Sequence, residues 1–137
     1  MISPKFRARI MRGKMWWIGF SMSAVVVLFL LLDAGMKLAA VRPVLEAGQQ
    51  IGYPGARMAR KLGALLLICT LLYIYPRTSL LGAILVTAFL GGAVATHVRL
   101  GNPLFSHVLF GVYVGVLMWG GMVLRDPRVR NLLTPWV

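Results

Sequence analysis

Acidic side chains are almost missing from this chain. Only Asp33, Glu46 and Asp126 carry a carboxylate among its 137 residues, against 15 lysines and arginines. Cysteine is as scarce: Cys69 stands alone, which excludes an intramolecular disulfide and a CxxC redox pair. Cys69 lies inside an apolar run and reads as a small buried hydrophobe. With one thiol and two histidines, His97 and His107, no dedicated metal site is expected. Charge of either sign is thin. Charged residues make up 13% of the chain, whereas a soluble domain carries roughly 25%. Internal repeats and low-complexity tracts are lacking too.

What fills the chain instead is hydrocarbon: 59% of the residues are hydrophobic, with a mean hydropathy of +0.81. Such a chain does not stay in water alone, and its length suits one domain. The net charge of +12 raises nucleic acid as a partner. The pattern argues against it, because the basic residues flank apolar runs instead of forming one stripe. Lysine and arginine beside membrane spans follow from topology and from anionic head groups.

Four spans are expected, at about residues 15–37, 56–75, 80–97 and 104–124, giving an all-α integral membrane four-helix bundle as a single domain. The first follows a basic tail with Lys5, Arg7, Arg9, Arg12 and Lys14, and opens on Trp16-Trp17, a pair suited to the head-group interface. A basic start before an apolar core also fits a signal peptide. The run exceeds a usual signal core, and cleavage near Ala39-Ala40 would discard Asp33 and Lys37, so a retained anchor is the reading preferred. The second span carries Arg57, Arg60 and Lys61 in its first turns, cations able to snorkel. Pro76 stops it, and Tyr73 and Tyr75 are expected at its far interface. Thr78 or Ser79 is expected to cap the third span. Asp126-Pro127 reads as N-cap and first residue of a short surface helix. Residues 41–53 suggest a short amphipathic or re-entrant piece.

Orientation follows the basic residues. With the N-terminus inside, nine of them lie on the cytoplasmic side and six outside, which favours cytoplasmic N- and C-termini. Lipid tails do not drive apolar helices together, so close backbone approach must supply the contact. Ala83, Thr87, Gly91 and Ala95 form one small-residue row in the third span, Ala88, Gly92 and Thr96 a second, and Gly111 and Gly115 a similar pair in the fourth. Ordinary helix packing through these rows is expected, with Gly91 at a contact.

Alternating topology brings the polar residues to one end, the outer one in this orientation. Asp33 and Lys37 end the first span, Glu46 follows in the loop, and Arg57 opens the second. His97 closes the third with Arg99 beyond it, and His107 opens the fourth. No comparable group is expected at the other end. Asp33 and Lys37 are four apart with the acid first, a spacing that lets them pair. A carboxylate in or beside a membrane span needs a partner and often has a task. Histidine changes protonation near neutrality, and a nearby carboxylate can hold it as acid or base. Against this stands a plain structural role: mutual neutralisation of Asp33 and Lys37, interhelical hydrogen bonds from the histidines, lipid phosphate on Arg99.

The stretches LDAGMKLA (Leu32–Ala39), IGYP (Ile51–Pro54), YPRTSLLGAIL (Tyr75–Leu85), LGGAVATHVRLGNPLFSHVLF (Leu90–Phe110) and LMWGGMVLRDPRVRNLL (Leu117–Leu133) resemble the DoxX-like family of small bacterial membrane proteins. The resemblance implies a four-helix protein of the bacterial inner membrane. Some DoxX relatives are associated with oxidoreductase assemblies or quinone-linked sulfur oxidation. This chain lacks cysteine pairs and evident cofactor ligands for independent redox catalysis.

Three functional readings remain open. The first is an accessory membrane protein whose outer polar pocket, built from Asp33, Lys37, Glu46, His97, Arg99 and His107, binds a small molecule, a lipid or a quinone head group. The second is an oxidoreductase subunit or proton-transfer enzyme using Asp33 with His97 or His107. The third is a minimal transporter component, disfavoured because four short spans show no inverted repeat. Membrane lipid is the expected partner, with a quinone or other small apolar ligand and a membrane protein complex as further ones. No cofactor and no catalytic residue is assigned.

Overall fold

A computed structural model describes residues 4–133, with side chains from residue 12 to 132. Its helices are α1 (Pro4–Ala39), α2 (Arg42–Gln50), α3 (Ala56–Ile74), α4 (Ser79–Arg99), α5 (Phe110–Arg125) and α6 (Pro127–Leu133), with one π-helical turn at Leu104–Val108 leading into α5. No strand occurs among the described residues. α1, α3, α4 and α5 pack as a four-helix bundle in which each helix runs antiparallel to its neighbours. α3 and α5 flank α1, and they flank α4 as well, so α1 and α4 face each other across the diagonal. Three stretches are long and apolar enough to cross a membrane: Arg12–Ala39, Ser79–Arg99 and Leu104–Arg125. α3 is 19 residues long and carries Arg57, Arg60 and Lys61 in its first two turns. The outside of the bundle is as apolar as its core. Val25, Leu28, Ile68, Ile84, Val112 and Val116 all point outward, which suits hydrocarbon and not water.

Each of the four seams is closed by a glycine, because only a bare Cα lets two backbones approach this closely. Gly19 and Gly121 face each other between α1 and α5. Gly63 sits against the Ala34 carbonyl, Gly82 against the backbone of Leu72 and Tyr73, and Gly111 against Leu90 and Val94. The expected small-residue rows are therefore only partly used. Ala83 and Thr96 are buried, but Thr87, Ala88, Gly92 and Ala95 are exposed, and a side chain on Gly91 would meet nothing within 4 Å. In a bundle whose lipid-facing surface is as apolar as its interior, hydropathy does not say which face turns inward. The core is Leu30, Leu66, Cys69, Val86, Met118 and Met122, with Tyr73 among them. Tyr73 is fully buried instead of lying at the interface. Its hydroxyl donates to Ser23 Oγ at 3.0 Å, a partner that allows its burial. Tyr75 is exposed, as expected.

Helix ends are set by local chemistry. α1, α2 and α4 stop in the same way. In each, a residue with positive φ (Ala40, Gly52, Gly101) donates its N–H three residues back, and the next N–H reaches five residues back: Val41 to Met36, Tyr53 to Gly48, Asn102 to His97. This is the Schellman arrangement, which satisfies end carbonyls and favours glycine at the turning residue. α3 ends because Tyr75 is extended before Pro76. The expected cap on α4 is not formed. Thr78 and Ser79 donate instead to the carbonyls of Leu72 and Pro76. Asp126 does cap α6, accepting the Arg128 N–H at 2.9 Å. α1 begins well before the expected span, because arginine and lysine are good helix formers and nothing breaks the basic tail. Residues 42–50 form a short amphipathic helix with Val44 and Leu45 half-buried and Glu46, Gln49 and Gln50 exposed.

Candidate functional site

The two histidines meet. His97 lies in the last turn of α4 and His107 in the π turn that opens the next span. Their ring centroids are 5.6 Å apart, edge to face. Two local devices aim them. The Schellman turn at Gly101 folds Asn102 back beneath α4, where its side-chain amide lies 2.7 Å from His97 Nδ1. In the π turn the Leu109 N–H bonds the Leu104 carbonyl five residues back, at 2.8 Å. The wider ring puts Ser106 Oγ 2.7 Å from His107 Nδ1. Turns of this kind recur at functional positions. With both Nδ1 atoms engaged, the Nε2 atoms have no hydrogen-bond partner among the described residues. An amide donating to Nδ1 leaves His97 with its proton on Nε2, as a donor. His107 presents either a donor or a lone pair, depending on the direction of the serine hydroxyl.

The other polar residues take separate places. Lys37 donates to Asp33 along α1, and the pair is partly buried. Arg99 reaches sideways and donates to the Ile51 carbonyl at 3.2 Å, tying the end of α4 to the connection between α2 and α3. Glu46 is exposed on α2 and has no ion-pair or hydrogen-bond partner among the described residues. Arg57 is exposed at the start of α3. No hydrogen bond or ion pair joins Asp33 to His97, since their helices stand on the bundle diagonal. No cluster of three or more metal-ligating side chains occurs among the described residues.

The opposite end is richer than the sequence suggested. Trp16, Phe20, Ile74, Pro76, Ser79, Met122, Arg125 and Asp126 line an open cleft of about 240 Å³. Arg125 lies over the Tyr73 ring, 5.4 Å from its centroid. Of this group, the sequence marked Asp126 only as the N-cap of the last helix, Arg125 only as a flanking cation, Ser79 only as a cap and Trp16 only as an interface residue. Asn102 and Ser106 at the histidine pair were likewise unmarked. A signal did exist for Asn102, because an asparagine directly after a helix-ending glycine is placed to turn back on the last helical turn.

The comparisons agree with this architecture at the level of family. The model described as the DoxX-like family matches residues 21–121, from the middle of α1 to the last turns of α5. No curated protein and no solved structure matches the chain.

Proposed function

This chain belongs to the DoxX-like family and is a small integral membrane protein, and from that premise we propose that it is an accessory subunit that holds a small polar head group at its outer end. The observation that carries the reading is the histidine pair. Two imidazoles from successive spans lie with their ring centroids 5.6 Å apart, each oriented by a hydrogen bond on Nδ1 and with Nε2 unengaged among the described residues. Such a pair can donate to an oxygen acceptor through His97 Nε2, as a quinone carbonyl or a lipid ester offers. Arg99 and the Asp33–Lys37 pair supply charge at the same end of the bundle. The glycine-closed core leaves the apolar part of such a ligand to lie on the lipid-facing surface.

In the same reading α3 crosses the membrane as the fourth span, with Arg57, Arg60 and Lys61 snorkelling to the outer head groups. Both termini then lie on the cytoplasmic side of a bacterial inner membrane, and α2 rests on the outer surface with Glu46 toward water. The test is chemical. Protein solubilised in mild detergent is extracted and its bound lipids and quinones are identified by mass spectrometry. A defined species retained by the wild type and lost from both folded variants, His97→Gln and His107→Gln, supports the reading. Retention unchanged in both variants rejects it. Turnover that vanishes in a folded Asp33→Asn variant would move the protein into the enzyme class instead.

A further inference from the structure

The cleft at the other end of the bundle contains an arginine whose hydrogen-bonding capacity the protein does not use. Arg125 stands in the last turn of α5, where a cation often serves the helix-end carbonyls. That task is already taken. Arg130 donates to the carbonyls of Val123 and Leu124 at 3.0–3.2 Å. The nearest acid, Asp126, accepts the Arg128 N–H as the cap of α6 and forms no ion pair with Arg125. Among the described residues the half-buried Arg125 guanidinium has the Tyr73 ring as its partner and no hydrogen bond or ion pair. Tyr73 is held by its hydroxyl bond to Ser23, so the ring is a fixed platform under the charge. The five donors of Arg125 have no hydrogen-bond partner among the described residues, and the residue lines the open cleft.

The walls of that space say what fits. Trp16 and Phe20 stack 5.4 Å apart, nearly parallel, and both are exposed. With Trp17 they form the aromatic cluster at the level where α1 leaves the bundle, a composition that marks the head-group layer. Ile74 and Met122 make the remaining apolar wall, and Ser79 adds a hydroxyl. The open cleft of about 240 Å³ has room for a head group. We propose that this cleft binds the phosphate of an anionic phospholipid, with the Arg125 guanidinium on the phosphate oxygens and the glycerol against Trp16 and Phe20. Arginine matches phosphate with two parallel N–H bonds. Aromatic walls at the head-group layer favour a lipid over a soluble phosphate. Asp126 beside the site would attract the ammonium of a zwitterionic head group, but its carboxylate is turned to the start of α6, and the excess of cations on the chain favours net negative lipid.

The full-length protein is delipidated in a neutral detergent and titrated with phosphatidylglycerol, phosphatidylcholine or glycerol phosphate, bound molecules being counted by native mass spectrometry. Wild type is expected to hold phosphatidylglycerol more tightly than phosphatidylcholine. Arg125→Gln is expected to weaken phosphatidylglycerol about tenfold or more, the scale of one lost charge-assisted contact. Arg128→Gln, an exposed arginine outside the cleft, is expected to bind as wild type. If thermal unfolding shows that Arg125→Gln does not fold, Trp16→Ala replaces it, since Trp16 is exposed and its loss leaves the core intact. Unchanged phosphatidylglycerol binding in the folded variant overturns the proposal. So does an equal loss in Arg128→Gln, which would mean general surface charge. Equal affinity for the two lipids, or glycerol phosphate bound as tightly as phosphatidylglycerol, overturns it as well.

Discussion

At the scale of single residues, exposure decides what the Asp33–Lys37 ion pair is worth. The side chains of Lys37 and Asp33 keep 20% and 25% of their surface uncovered, and in the proposed topology that surface meets water at the head-group layer, which screens their attraction. Asp33→Asn is therefore expected to cost about 1 kcal/mol or less in unfolding experiments in detergent. A loss on the order of 3–5 kcal/mol would place the pair in a water-free setting. The histidines are closer to one another than either is tied to Asp33. A double-mutant cycle of His97→Gln with His107→Gln is expected to show a coupling of about 0.5 kcal/mol or more in stability or ligand retention. Asp33→Asn with His97→Gln tests whether the whole group acts as one network, through the same departure from additivity; strict additivity would separate them into two sites. His97 and His107 stand out in the sequence because titratable side chains are rare in an apolar chain. Their immediate partners, Asn102 and Ser106, were not legible, since small polar residues in loops are common and only the turn geometry brings these two to the rings.

At the scale of elements, helix ends and seams carry the sharpest consequences. Ala40 ends α1 with φ of 50°, in a place where the other two helices of this type use glycine. Ala40→Gly is expected to stabilise the protein by roughly 0.5–1 kcal/mol, because the turning residue no longer crowds its own backbone. Gly101→Ala should do the reverse by about 1 kcal/mol and should also weaken ligand retention, since the same turn positions Asn102 under His97. Both effects are read from thermal unfolding, the second also from bound ligand. The seams divide the glycines. A methyl on Gly82 would overlap the backbone of Tyr73, so Gly82→Ala should destabilise by roughly 1–3 kcal/mol. Gly91→Ala meets open space and should be neutral or stabilising by up to about 1 kcal/mol. Comparable losses in the two variants would mean that α4 turns its Gly91 face toward protein.

At the scale of the whole molecule, the arrangement in the membrane is what remains to be measured. Single cysteines at Gly13, Glu46 and Asn131 occupy exposed positions at the two ends of the bundle, in a background where the native Cys69 is buried. An impermeant thiol reagent applied to intact cells is expected to label Glu46→Cys and to spare Gly13→Cys and Asn131→Cys. The opposite pattern would invert the protein and move the histidine pair to the cytoplasmic side. Labelling at Gly13 or Asn131 alone would mean that α3 does not cross. In the proposed reading the two polar ends have different tasks, a ligand site of paired imidazoles outside and a lipid-binding arginine inside, separated by a core whose buried polar side chains are all satisfied among the described residues.

Hydropathy and punctuation determined the helices without help from the fold. The apolar runs, Pro76, the Asp126-Pro127 cap and the spacing of Asp33 and Lys37 act within a turn or two of chain, where local chemistry is decisive, and antiparallel alternation then follows from short connections. Which face of each helix turns inward was decided only in the assembled bundle. Leucine, valine and alanine suit lipid and protein equally, so the burial of Tyr73, the exposure of Gly91 and the choice of Gly19, Gly63, Gly82, Gly111 and Gly121 as contact points depend on how four helices fit together. The histidine pair and the Arg125 cleft belong to the same class. Each joins residues from separate elements, and it exists only once packing has set the distance between them.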